Sequence, residues 1–534
     1  MKKILLIVLA CVFMAAPAAG HAEENKPGPL TWPTVATEYG PVRGVNENGV
    51  SVFRGIPFAQ PPVGQLRFAP PKNPQPWTAP LDCAAFPNVP VQESDTSPYQ
   101  QSEDCLYLNI WAPENARGKS LPVLVFIHGG GYSFGHASNS LYDGRRFALD
   151  GVVQVNVAYR LNALGFMPIL EAGQESGYAA NIGTLDQIQA LKWVKENIAS
   201  FGGDAGNITI SGESAGAFSV ASLVLSPLAK GLFNRAIMQS GNTLGQNVMM
   251  PKAKGDLDLA VAHANEFARS LSALNQDGQA SLEKLRALSA RELSRGSYLS
   301  MDFTRPSPYH FFTVFDGRVL PENPYQALVE GRVNEVPILT GFNTDEGTMF
   351  IPDGTTVEQY KEILRGTFGE RADEVFDRYP VDINHTATER ARDIIRMGLR
   401  MGGDLMAEVF SGRGQDVYCY QFDYSLPELD QKGLGTMHAL ELPFVFDTLS
   451  VMGPWFSETA PRDLSFQKTV HTYWLNFIKT GDPNQGQAVA VHWPKYTRRD
   501  KMILILDEVS REAVSPGYED VDYFSKLSWG ASPY

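Results

Sequence analysis

Gly212 to Gly216 reads GESAG, a G-x-S-x-G pattern with Ser214 at its centre. A serine hydroxyl flanked this way can act as a nucleophile. The glycines lack the Cβ atoms that would clash in a sharp turn, so the Oγ is exposed and the next N–H faces a reacting carbonyl oxygen. By itself the pattern is weak in a glycine-rich chain. A nucleophilic serine also needs donors for the oxyanion. His128 to Tyr132 reads HGGGY, and three successive glycines let backbone N–H groups come close to a ligand. The N–H groups of Gly130, Gly131 and Ala215 would form a three-donor hole. A phosphate loop is the competing use of such a stretch, and the absence of a following G-K-[ST] disfavours it. Finally, the serine needs a base and the base needs a carboxylate. His438, in GTMHALELPFVF, follows a glycine-bearing loop and is one candidate among nine histidines. Asp345 and Glu346 directly follow a predicted strand at 336–340, and either could orient an imidazole.

The surrounding chain supplies elements that could hold these groups. LPVLVFI before the triple glycine and VVQVNV from Val152 are apolar, β-branched runs, the pattern of buried parallel strands. Ile182, Leu185, Ile188, Leu191, Val194 and Ile198 recur at steps of three and four, with Gly202 and Gly203 beyond, which predicts an amphipathic helix with a glycine stop. NITIS then reads as a strand and AGAFSVASLVLS as a helix, so Ser214 falls between a strand and a helix, where a nucleophile elbow belongs. The expected fold is α/β, with a large, mostly parallel sheet flanked by helices.

The chain has 534 residues, 43% of them apolar, enough for a large core. No linker, repeat or low-complexity tract marks a boundary, so one domain over 23–534 is expected. A formal net charge of −14 repels phosphate backbones and anionic lipid headgroups, which argues against nucleic-acid binding. After the N-terminus no apolar run has the ~20 residues of a membrane span. The first 22 residues read as a secretory signal peptide: Lys2 and Lys3, an apolar run from Ile4 to Ala16, and small residues before a cleavage after Ala22. The alternative is a lipoprotein anchored through Cys11. Both predict an exported protein, periplasmic or secreted. In that compartment Cys83 and Cys105, in a loop-rich segment, are expected to be bonded, whereas Cys419, in the strand-like DVYCYQFDY, is expected to be a buried thiol. The cysteine spacing suggests no metal site.

The segments FRGIPFAQPPVGQLRFAPP, SEDCLYLNIWAP, HGGGYSFG, GESAGA, GFNTDEG, HALELPFVF and FIKTGDPN occur in one order. In these stretches, spread from about Leu30 to about Leu527, the chain resembles the type-B carboxylesterases, the cholinesterase and carboxylesterase group of α/β-hydrolases. HALELPFVF looks closest to the bacterial para-nitrobenzyl-esterase-like branch, because many animal members have glycine where Ala439 stands. The resemblance implies Ser214 as nucleophile, Glu346 as acid and His438 as base, with Asp345 a structural neighbour. It also implies an oxyanion hole at Gly130, Gly131 and Ala215, and Glu213 and Ser240 as residues that orient the histidine. A Cys83–Cys105 disulfide and an internal Arg67–Glu103 ion pair follow from the same likeness. The implied activity is hydrolysis of small-molecule carboxylic esters through an acyl-enzyme, with no metal or organic cofactor.

Departures narrow the substrate. Trp77 is the tryptophan of the early PW pair, and the next 26 residues contain no second one to stack on a choline cation, which disfavours choline esters. Thr313 stands where the family usually has proline, and Phe311 and Phe312 are candidates either for an acyl-pocket wall or for core packing. A peptidase or a lipase would use the same triad, whereas a non-catalytic adhesion module would lack part of it.

Overall fold

The structure is a computed structural model that describes residues 33–93, 97–249, 256–452 and 460–530. The proposed signal peptide, with Cys11, lies outside the described residues. Among these residues fourteen strands form two sheets. In chain order they are β1 (Thr34–Ala36), β2 (Pro41–Arg43), β3 (Val45–Glu47), β4 (Val50–Pro57), β5 (Leu81–Asp82), β6 (Tyr107–Pro113), β7 (Leu121–Ile127), β8 (Val153–Val157), β9 (Gly203–Glu213), β10 (Arg235–Gln239), β11 (Ile338–Asn343), β12 (Val417–Phe422), β13 (Met502–Leu506) and β14 (Arg511–Val514). β1, β2 and β5 make a small sheet. The other eleven make one large sheet in the order β14-β13-β12-β11-β10-β9-β7-β8-β6-β4-β3.

From β8 to β13 every neighbouring pair is parallel, and the strands at both edges are antiparallel. The apolar runs explain this. All five residues of β8 and the last five of β7 are buried, as expected for strands covered on both faces. Helices supply the cover: Ala215–Leu225 packs on β9 and β10, Pro461–Thr480 on β7 and β9, and Ala387–Gly412 on β11 and β12. The edge strand β14 is mostly exposed and carries Arg511 and Glu512, charges that discourage pairing with another sheet. No helix among the described residues is long and apolar enough to cross a membrane.

Two expectations are corrected. The helix Ile182–Asn197 forms where predicted and ends toward Gly202, at φ +86°, but it lacks a clean polar face: Lys192 and Glu196 are exposed, whereas Thr184, Asp186, Gln187, Gln189 and Asn197 are buried with the apolar residues. Three of the buried ones have these partners. Asp186 accepts two hydrogen bonds from the Arg160 guanidinium, at 2.8 and 2.6 Å, Gln187 donates to Ser219 Oγ, and Gln189 donates to Asn73 Oδ1. The apolar spacing predicted the helix, but partners from distant segments let these polar residues be buried too.

The expected Cys83–Cys105 disulfide is absent; both are buried free thiols. Burial raises both thiol pKa values, that of Cys83 to about 12, which keeps the sulfurs protonated. Other contacts hold this segment. The Cys83 N–H donates to the Arg43 carbonyl, the Arg54 N–H donates to the Cys83 carbonyl, and Arg67 pairs with Glu103 at 2.5 Å while also donating to the Leu288 and Arg286 carbonyls. Cys419 is a buried thiol, as expected.

Candidate active site

β9 ends at Glu213, and the helix Ala215–Leu225 starts two residues later. Ser214, between them, has φ +55° and ψ −124°, a conformation that non-glycine residues rarely adopt and that stores strain at functional positions. Two contacts hold it there. Its N–H donates to the Gln239 carbonyl at the end of β10, and its own carbonyl accepts from Phe218 N–H. The turn is too tight for larger neighbours: a Cβ on Gly216 would lie 2.0 Å from the Ile127 carbonyl oxygen. Ser214 is partly accessible while the residues on both sides of it are buried.

The triple glycine follows β7 and abuts this elbow; a Cβ on Gly129 would lie 3.1 Å from Ser214 Cβ. Gly130 and Gly131 have φ +105° and +58°, open to glycine and costly for other residues. The direction of each N–H is set from the far side of its peptide plane. The Gly129 carbonyl bonds His128 Nδ1 at 2.9 Å, and the Gly130 carbonyl accepts from Ser133 N–H and Phe134 N–H. Because a peptide is planar, these bonds orient the Gly130 and Gly131 N–H groups. Neither N–H has a protein hydrogen-bond partner among the described residues. Ala215 N–H, first in its helix, also lacks an intrahelical partner.

Glu346 opens a short 3₁₀ turn, Glu346–Met349, just after β11. One carboxylate oxygen accepts from Asn343 N–H at 2.8 Å, and the other lies 2.5 Å from His438 Nδ1. Both side chains are fully buried. Asp345 points elsewhere. It accepts from Thr436 N–H at 2.9 Å, its own N–H donates to the Thr436 carbonyl, and so it braces the loop that carries His438. Of the two adjacent carboxylates, Glu346 reaches the imidazole and Asp345 bonds the Thr436 N–H instead. Ala439, directly after the histidine, adopts φ +67°, a left-handed position that suits glycine.

Among the described residues His438 Nε2 has no hydrogen-bond partner, although Glu213 Oε1 lies 3.1 Å away in an ion contact without hydrogen-bond alignment. Burial would lower the His438 pKa, but Glu213 and Glu346 outweigh it and raise it to about 9. Burial, with Glu441 and Glu346 nearby, lifts Glu213 to about 8 against the opposite pull of His438. The two groups share one buried environment and titrate as a pair.

A third carboxylate, Glu441, is also buried here and was not anticipated from the sequence. It accepts from Gln239 Nε2 at 3.0 Å and from Asn343 Nδ2 at 2.7 Å, and Gln239 accepts from Trp474 Nε1. The three-residue step from His438 to Glu441 was visible in the chain; its partners on β10 and β11 were not. Ser240 sits at φ +54° beyond β10, and its buried Oγ makes no hydrogen bond among the described residues, so no such bond ties it to the imidazole.

The phenylalanines divide as follows. Phe311 packs on Phe267 and His263, Phe312 on Tyr132 and Phe218, and both are buried. Thr313 Oγ1 donates to Gln246 Oε1. A cavity of about 260 Å³ opens beside the glycine loop, lined by Leu299, Phe303, His310, Ile363 and Ile395 among others. Phe303 packs at a tilt on Phe350, whose ring packs edge-on against His438, so these rings link the cavity wall to the imidazole.

A mostly parallel sheet whose central strand ends in such an elbow is the architecture of an α/β-hydrolase. The carboxylesterase family profile matches residues 31–523, and the chain belongs to that family, as a carboxylic-ester hydrolase. It is 36% identical over 503 residues to the para-nitrobenzyl esterase of Bacillus subtilis, covering 90% of this chain and 95% of that one. With the fumonisin B1 esterase of Sphingopyxis macrogoltabida the identity is 33% over 489 residues, 89% of this chain and 86% of the other. Among solved structures, a Geobacillus stearothermophilus carboxylesterase superposes with a TM-score of 0.76 at 34% identity, over 93% of this chain and 99% of that one.

Proposed function

We propose that residues 23–534 form one esterase domain that cleaves small-molecule carboxylic esters through an acyl-enzyme on Ser214. The observation that carries this reading is the strained Ser214 elbow, whose neighbour Glu213 lies 3.1 Å from Nε2 of a histidine bound through Nδ1 to buried Glu346. His438 Nε2 takes the Ser214 proton as Oγ attacks the ester carbonyl carbon. The Gly130, Gly131 and Ala215 N–H groups hold the tetrahedral oxyanion, which strengthens as charge develops on oxygen. His438, now an imidazolium stabilised by Glu346, returns the proton to the leaving alcohol. Water repeats the sequence at the acyl carbon, with His438 as base, and releases the acid. Glu213 adds a second carboxyl beside the imidazole. The cavity lined by Leu299, Phe303 and Ile363 would take one apolar arm of the ester. Relatives named for para-nitrobenzyl and fumonisin esters support a small-molecule substrate.

We also propose that the protein is exported after cleavage behind Ala22; N-terminal sequencing of the protein recovered outside the cytoplasm tests this. The catalytic reading is tested by rapid mixing with a nitrophenyl ester: a burst of about one nitrophenol per chain marks the acyl-enzyme. Hydrolysis without acyl attachment to Ser214 would defeat it. Comparing nitrophenyl ester with nitroanilide turnover separates esterase from peptidase action, and interfacial activation would mark a lipase.

A further inference from the structure

Gly131 contributes one oxyanion donor, yet its own carbonyl also needs a fixed direction, because the φ and ψ of a glycine are otherwise soft. That carbonyl lies 2.7 Å from His310 Nε2. A carbonyl oxygen can only accept, so this nitrogen carries the proton and His310 is the Nε2–H tautomer. Burial pulls the His310 pKa down to about 4, against the raising effect of the bond itself, so the ring stays neutral at working pH. The ring is held edge-on against Phe312, and the His310 backbone N–H donates to His263 Nε2 at 3.4 Å.

The same carbonyl accepts a second, longer bond from Ser133 Oγ at 3.2 Å, and that hydroxyl accepts from Leu299 N–H at 2.9 Å. Leu299 also fills the space where a Gly131 Cβ would project, 2.4 Å from its Cδ2. Three groups therefore clamp the Gly131–Tyr132 peptide, and two of them, Leu299 and His310, belong to one segment that also lines the 260 Å³ cavity. Besides Ser133, two residues further along the same turn, His310 bonds the Gly131 carbonyl directly, and it does so from a distant segment.

We infer that His310 is a positioning residue for the oxyanion hole: its Nε2–H bond to the Gly131 carbonyl holds the loop in the conformation that presents the Gly130 and Gly131 N–H groups to the developing oxyanion. This rests on the assignment of that loop in the proposed mechanism. His310 touches no reacting atom and transfers no proton. Its effect is geometric, and a misplacement of about 1 Å in such a site costs up to ~10²-fold in rate.

The test compares His310→Phe, which keeps a flat ring without a donor, with His310→Gln, whose amide can donate from a similar reach. On a soluble nitrophenyl ester, His310→Phe is expected to lower kcat about 10- to 100-fold with KM changed by less than about threefold. His310→Gln is expected to recover most of that loss. Affinity for a boronic acid, whose tetrahedral serine adduct places an oxygen in the same cradle, should fall in parallel with kcat. Thermal unfolding of both variants is followed alongside, and His310→Leu replaces the phenylalanine variant if that one does not fold. A kcat within twofold of the parent in the donor-less variant overturns the inference. So does a glutamine variant that folds normally but is as impaired as the phenylalanine one. Ser214→Ala is run in the same series: activity surviving there defeats the catalytic reading itself, whereas an inactive Ser214→Ala beside an unimpaired His310→Phe defeats only the role of His310.

Discussion

Glu346→Gln tests the histidine–carboxylate pair with the least change in shape. Asn343 N–H donates to one Glu346 oxygen at 2.8 Å, and that donor needs an acceptor in the variant too. The new amide must therefore turn its oxygen toward Asn343 and its NH₂ toward His438 Nδ1, 2.5 Å from the present oxygen. An NH₂ group donates, so Nδ1 must accept and the proton moves to Nε2. In the proposed mechanism that nitrogen receives the Ser214 proton, so the base would be in the wrong tautomer. The site is fully buried, so no water restores the missing charge. In serine hydrolases a carboxylate-to-amide change at this position lowers kcat by roughly 10⁴, and at ~1.36 kcal/mol per decade this is about 5 kcal/mol of transition-state stabilisation. Steady-state kinetics on p-nitrophenyl acetate should show a kcat loss of about 10³- to 10⁴-fold with KM little altered. Glu346→Asp, which keeps the charge, should lose less. A kcat within tenfold of the parent in the amide variant would refute the reasoning.

The remaining expectations concern the buried charges and thiols. Because Glu213 and Glu346 raise the His438 pKa, and the base works only when neutral, kcat/KM should climb with pH through a limb above the ordinary imidazole value of 6.5. Glu213→Gln removes one raising charge, so the same limb should move toward acid in a pH–rate profile; an unmoved or alkaline-shifted limb contradicts the contact. Arg160→Met strands Asp186, which is 0% exposed, and should cost about 3–5 kcal/mol in urea unfolding, with much of it recovered by adding Asp186→Leu. A loss below about 1 kcal/mol would show that Asp186 finds other partners. Cys83, Cys105 and Cys419 should label slowly with a thiol reagent in the native protein and fully in denaturant without reductant. Finding no reactive Cys83 or Cys105 in denaturant would indicate a disulfide after all.

The parts of this site that could be read from the sequence are those whose physics is local. A strand, a glycine-flanked serine and a helix in succession imply the elbow, because the turn demands residues without Cβ at fixed offsets. The triple glycine after β7 announced exposed N–H groups for the same reason. The carboxylate and the histidine were harder. Asp345 and Glu346 are chemically similar neighbours, and what separates them is the 3₁₀ turn that sends Glu346 inward while Asp345 bonds Thr436, 91 residues away. Local residues left His438 one candidate of several; the family likeness singled it out. Gln239, Asn343, Glu441 and His310 were missed because each acts through a partner on a distant segment. The helix Ile182–Asn197 shows the converse: apolar spacing gave the element, but burial of Asp186 and Gln187 depends on Arg160 and Ser219, which no periodicity encodes.

The most direct measurement is to inactivate the purified enzyme with an organophosphate, digest it and locate the adduct by mass spectrometry. The account predicts a single phosphorylated peptide carrying GESAG, modified at Ser214, with esterase activity lost in proportion to labelling, and neither labelling nor turnover in Ser214→Ala. A stoichiometric adduct on another residue, or ester hydrolysis undiminished in Ser214→Ala, would contradict it.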